Sequence, residues 1–123
     1  MNRFHRLLAL ALVLASTGVA AQERRFNPKA LARYDVSYVR CEASFPEMKG
    51  RRDDAYLALW RVAPGPKAAA RLASVRGSSA YKAEQKVAAA GQAKRASDPE
   101  SVKALERQCR GLWGEMGRLK PAR

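Results

Sequence analysis

The sequence has few of the side chains that enzymes use most often for catalysis. It contains one histidine, His5, and two cysteines, Cys41 and Cys109. His5 lies in an N-terminal segment that we expect to be removed, so the mature chain would have no histidine-based triad, proton shuttle or ordinary zinc site. Pairing of the cysteines would also exclude thiolate catalysis and thiolate metal binding. We therefore predict a protein that is not an enzyme and that needs no metal or cofactor.

The sequence also lacks an apolar run long enough to cross a membrane. The run from Leu7 to Ala15 has nine residues, whereas a membrane-spanning helix needs about 20. It follows two arginines and precedes Val19-Ala20-Ala21, small residues of the type that signal peptidase requires. This order is typical of a cleaved secretory signal, which we place at residues 1–21. We predict a periplasmic or secreted protein that starts at Gln22 and has no transmembrane anchor.

Strand signals are missing, because no run of β-branched and aromatic residues alternates with polar ones. Helix-favouring alanine is abundant, and apolar residues recur every three or four positions. We predict that residues 22–123 form a single all-α domain, a bundle of about four helices. The first expected helix runs from Pro28 to about Ser44, and the second from about Asp53 to Val62. Lys67–Ala90 is expected to form two short helices or one kinked helix, with a break at Gly77-Ser78-Ser79, followed by a connector from Gly91 to Ser97. The last helix starts at a cap that is either Ser97 or Asp98.

The two cysteines occupy similar places in two apolar stripes, one near each end of the domain. The first stripe is Leu31, Tyr34, Tyr38, Cys41 and Phe45, and the last is Val102, Leu105, Cys109, Leu112 and Met116. An exported chain meets an oxidising compartment, so we predict a disulfide between Cys41 and Cys109. That bond requires the first and last helices to be neighbours. Six large aromatic residues form the aromatic cluster, which is expected to fill the core rather than to line a ligand pocket: Tyr34, Tyr38, Phe45, Tyr56, Trp60 and Trp113.

Positive charge is concentrated in the middle of the chain. The whole sequence has a net charge of +13, and positions 55–97 contain eight basic residues but only one acidic residue, Glu84. Lys67 and Arg71, and likewise Lys82 and Lys86, are four positions apart, so each pair lies on one face of its helix. These four residues are our candidate anion-binding residues. The other interpretation is that they only keep the protein soluble.

The leading hypothesis is a non-enzymatic binding protein for an anionic envelope component, such as lipid head groups or an acidic polymer, or for an acidic protein. Sequence-specific nucleic-acid binding is not expected, because no reading motif and little aromatic interleaving are present. A second hypothesis is an inhibitor or immunity-type protein of a secreted enzyme. A third is a cell-wall glycoside hydrolase that uses the acidic cluster of Glu42, Glu47, Asp53 and Asp54. The last two of these residues are better explained as helix-start residues, with Arg51 and Arg52 beside them as partners.

Overall fold

The computed structural model describes residues 24–118 of the chain, and Arg118 only in its backbone. The predicted signal segment 1–21, with His5, lies outside the described residues. The described part is all-helical and contains a short 3-10 helix, Pro46–Met48, between the first two α-helices. The α-helices are α1 Pro28–Ser44, α2 Arg52–Leu59, α3 Pro66–Arg76, α4 Ser79–Arg95 and α5 Pro99–Arg118.

The helix starts follow the capping residues of the sequence. The Asn27 side chain accepts hydrogen bonds from the backbone N–H groups of Lys29 and Ala30, at 3.0 and 3.1 Å. Asp98, one of the two predicted caps of the last helix, accepts from the Ser101 N–H at 3.3 Å. Each cap satisfies backbone donors that the first helical turn leaves without an intrahelical partner.

The described residues form five α-helices, slightly more than the predicted number of about four, because the middle of the chain forms two separate helices, one of the two arrangements expected there. Gly77 ends α3, and the Ser78 side chain caps α4 by accepting from the Tyr81 N–H at 3.2 Å. The expected connector from Gly91 to Ser97 was also wrong in part, since α4 continues through Gly91 to Arg95. Contacts between Gln92 and α1 hold this last part of α4 against the domain. The second helix ends earlier than expected, at Leu59.

The core has two parts. One is built around Leu31, Tyr56, Leu57 and Leu72, which are buried between α1, α2 and α3. The other surrounds the disulfide and contains Tyr38, Met48, Ala55, Cys109 and Met116. Trp60 and Trp113, which were expected to fill the core, are only half-buried at its edges.

The predicted disulfide is present. Cys41 and Cys109 are bonded, with their Cα atoms 5.5 Å apart, and both residues are buried. Helices α1 and α5 are therefore neighbours, as the two cysteine-containing stripes predicted. Helix α4 lies along α1 in the same direction, because Tyr81 near its start contacts Asp35, and Gln92 further on contacts Arg40. This arrangement leaves most of α4 facing outward, and Tyr81 is its buried residue.

Candidate functional site

The four predicted anion-binding residues are all exposed. Lys67 and Arg71 lie one turn apart on α3, and Lys82 and Lys86 lie one turn apart on α4. None of the four forms an ion pair with a residue that the structure describes. The Arg71 guanidinium lies 5.8 Å from the centre of the Phe26 ring, a cation–π distance. We call these residues, Lys67, Arg71, Lys82 and Lys86, the basic surface.

Arg76, which is near them in sequence, has a different role. Its guanidinium forms a bidentate ion pair with the Asp35 carboxylate, in which Nε donates to Oδ2 at 2.8 Å and Nη2 donates to Oδ1 at 3.0 Å. It also donates to both oxygens of Asp53, at 2.7 and 3.1 Å. Asp35 is only 3% exposed. Arg76 therefore links α1, α2 and α3 inside the domain and is not available to a ligand through this guanidinium face.

The ion pair is part of a larger polar network. The Tyr81 hydroxyl donates to Asp35 Oδ2, and Arg52 Nε lies 3.6 Å from Asp35 Oδ1. Burial, followed by the hydrogen bond to the nearby Asp35 carboxylate, raises the pKa of Tyr81 to about 12. Burial alone would raise the pKa of Asp53, but hydrogen bonds from Arg76 and Arg52 outweigh it and lower that pKa below its ordinary value. Every charge in this network thus has an opposite charge or a hydrogen-bond partner.

Sequence reasoning missed Asp35 as the centre of this network. The sequence did contain an indication of its burial, because Asp35 lies between Leu31 and Tyr38 on the buried stripe of α1. A single carboxylate on such a stripe needs a buried cationic partner. The sequence alone does not show that the partner is Arg76, which is 41 positions away.

Three residues of the acidic cluster have separate partners. Asp53 is part of the Arg76 network, Asp54 pairs with Arg51 at 3.2 Å, and Glu42 accepts from the Gly50 N–H at 3.1 Å. Glu47 lies exposed on the 3-10 helix. Within residues 24–118, no group of three or more histidine, cysteine or acidic side chains is placed to hold a metal ion.

The tyrosines of the aromatic cluster are core residues. The Tyr38 hydroxyl donates to the Met48 carbonyl at 2.7 Å, and the Tyr34 hydroxyl donates to the Arg52 carbonyl at 2.8 Å. Burial raises the pKa of Tyr38 to about 12 and raises that of Tyr34 as well. These rings fill space between α1 and the segment that follows it, with each hydroxyl satisfied by backbone.

A groove that sequence reasoning did not find lies between α1, α4 and α5. Its central cavity, of about 210 Å³, is lined by charged, polar and apolar side chains together. We call it the arginine groove and define it by Arg40, Gln92, Arg95, Val102 and Leu105. It continues at one end along α4 into a cavity of about 290 Å³, and at the other end beside the disulfide into one of about 170 Å³.

Comparison with known proteins gives no further guide: no family model, curated protein or solved structure matches this chain. A search of the described helices for membrane spans found none that combines the required length and hydrophobicity.

Proposed function

We propose that this protein is exported and that it is a non-enzymatic binding protein for an anionic component of the cell envelope. The signal-like residues 1–21 and the disulfide support export into an oxidising compartment. The basic surface supports the ligand class. Phosphate groups of lipid head groups or of lipopolysaccharide, and the carboxylates of acidic polymers, are the anions that such a surface attracts.

The observation that carries the proposal is that most cations of α3 and α4 have no acidic partner among the residues that the structure describes. Of the eight basic residues between positions 55 and 97, only Arg76 has an acidic partner among the residues that the structure describes. Glu84, the one acidic residue in that range, pairs with Arg33 of α1 at 2.8 Å. The seven other cations of this range are therefore left to interact with solvent or with a ligand.

Three acidic residues of the domain have partners other than the basic surface. Asp35 and Asp53 neutralise Arg76 inside the domain, and Asp54 pairs with Arg51. A domain that needed its cations only for solubility would gain more from mixing both signs over its surface. Exposed cations without acidic partners raise the local concentration of a polyanion and speed its association.

Binding through such a surface depends on salt, because exposed charges are screened over about 8–10 Å at physiological ionic strength. The test is retention of the mature protein on heparin, and its binding to lipopolysaccharide and to anionic vesicles, at about 50 mM and about 500 mM salt. We expect binding at the lower concentration and its loss at the higher one. Equal binding at both concentrations, or none at the lower one, would contradict the proposal.

A pair of fourfold variants separates the basic surface from net charge. The test variant carries Lys67→Gln, Arg71→Gln, Lys82→Gln and Lys86→Gln. The matched control loses the same charge at exposed positions outside α3 and α4, through Lys29→Gln, Lys49→Gln, Lys103→Gln and Arg107→Gln. The test variant should leave heparin at clearly lower salt than the control. Identical elution of the two variants would show that only net charge matters.

A further inference from the structure

We propose that the arginine groove is a second ligand site, and that it binds a linear amphiphile with one carboxylate, a molecule of the fatty-acid class. This inference does not depend on the basic surface, because the two sites share no residue. It rests on the arrangement of charged and apolar side chains along the groove.

The cationic part of the groove lies where α1 meets the end of α4. Arg40 Nη1 donates to the carbonyl oxygen of Gln92 at 3.2 Å and to its side-chain Oε1 at 2.9 Å. Gln92 is itself fixed by a hydrogen bond from its Nε2 to the Ser37 hydroxyl at 3.2 Å. Arg40 is thus held in place through one nitrogen, while its Nε and Nη2 have no hydrogen-bond partner within residues 24–118.

Arg95 supplies the second guanidinium. It lines both the central cavity and the neighbouring cavity along α4. Its Nη2 lies 4.0 Å from the place where a Cβ atom at Gly91 would be, so the side chain extends back along α4 toward the groove. No acidic residue that the structure describes pairs with it. Two guanidiniums at one cavity, neither neutralised, match a carboxylate, which guanidinium groups bind with paired hydrogen bonds.

The end of the groove beside the disulfide is more apolar. Its cavity of about 170 Å³ is lined by Ala43, Phe45, Val102, Leu105 and Cys109 together with Arg40, Ser44 and Glu106. Along α5, the eight residues from Val102 to Cys109 extend about 10 Å at about 1.5 Å per residue. This surface suits a thin hydrocarbon chain, which gains free energy as apolar area leaves water.

The charges along the groove set the orientation of the ligand. Arg40 lines both the central cavity and the cavity beside the disulfide, but Glu106 also lines the latter and would repel an anionic group there, whereas Arg95 adds a second cation at the central cavity. The carboxylate therefore lies at Arg40 and Arg95, and the chain extends past Val102 and Leu105 toward Phe45. A polyanion would make no favourable contact with the apolar wall, and a neutral lipid would form no ion pair with the two arginines. A single-chain fatty acid is the ligand class that interacts with both.

The proposal is tested by calorimetric titration of the mature, disulfide-bonded protein with laurate below its aggregation concentration. Dodecanol has the same chain without the charge, and butyrate has the charge without the chain. We expect laurate to bind and each of the other two to bind at least about tenfold more weakly, the loss typical of one missing charged hydrogen bond or several buried methylenes. Absence of laurate binding, or equal binding of dodecanol, would overturn the proposal. Tighter binding of dodecyl phosphate would overturn the carboxylate assignment.

Two single variants and one control variant locate the site. Arg95→Gln, at an exposed position, should weaken laurate binding at least about tenfold, whereas Lys94→Gln removes the same charge from the neighbouring position outside the groove and should not. Ala43→Gln should weaken laurate binding without changing butyrate binding. Unchanged laurate affinity in Arg95→Gln would refute the site. The fourfold basic-surface variant should bind laurate with unchanged affinity. The laurate site and the basic surface are therefore tested independently, and either proposal can fail while the other stands.

Discussion

Replacing Arg76 by methionine tests how the domain holds its helices together. Methionine keeps much of the side-chain length but removes the charge, which leaves Asp35, only 3% exposed, without its two-pronged partner. Breaking a buried ion pair by removing one partner costs about 3–5 kcal/mol. Tyr81 still donates to Asp35 and Arg52 Nε lies 3.6 Å from it, so we expect the lower end of that range, about 3 kcal/mol.

The loss should appear in urea unfolding followed by circular dichroism, with the disulfide intact. In thermal unfolding it corresponds to a fall in Tm of roughly 12–24 °C for a domain of this size. Lys67→Met is the matched control, because Lys67 is exposed on the same helix, and it should change stability by no more than about 0.5 kcal/mol. Adding Asp35→Asn to Arg76→Met removes the buried charge and should recover part of the loss. If the Arg76→Met variant were as stable as the control, the conclusion that the Arg76 ion pairs stabilise the packing of α1, α2 and α3 would be refuted.

Three further predictions concern stability. The double variant Cys41→Ser/Cys109→Ser should lose about 4 kcal/mol in urea unfolding, because the bond closes a loop of 68 residues; a loss below about 1 kcal/mol would contradict this. Arg61, two residues after the end of α2, has φ 55°, a left-handed conformation that glycine adopts more easily, so Arg61→Gly should raise the unfolding free energy measured in urea by about 0.5 kcal/mol. The Tyr81 pKa of about 12 lies above the unfolded value of about 10. The stability that it contributes is therefore present below pH 10 and lost as the pH rises to 12. Because Tyr34, Tyr38 and Tyr56 also have raised pKa values, Tyr81→Phe should reduce, and not abolish, the fall in the free energy of unfolding over that range; an unchanged slope would count against it.

The part of the fold that could be predicted is the part that local patterns specify. Asn27 followed by Pro28 marks the start of α1, and the matching stripes around Cys41 and Cys109 predicted which helices are neighbours. The end of α4 was misjudged, because Gly91 is a weak helix former and the contacts of Gln92 with α1 that hold the helix there are distant in sequence.

The candidate sites were predictable to different degrees. Exposure of the basic surface follows from helical spacing, and the structure agrees with it at all four residues. The ion pairs that hold Arg76 inside the domain could not be foreseen, since they are tertiary contacts with Asp35 and Asp53. The arginine groove was missed for the same reason: it joins residues of three helices whose packing had to be known first.

The most direct test of the proposed function is a map of backbone amide shifts of the mature protein, titrated with a short heparin oligosaccharide at low salt. We predict that the largest shifts fall on α3 and α4, around Lys67, Arg71, Lys82 and Lys86, and that they disappear when salt is added. Shifts spread evenly over the domain, or centred on α2 or α5, would contradict the account.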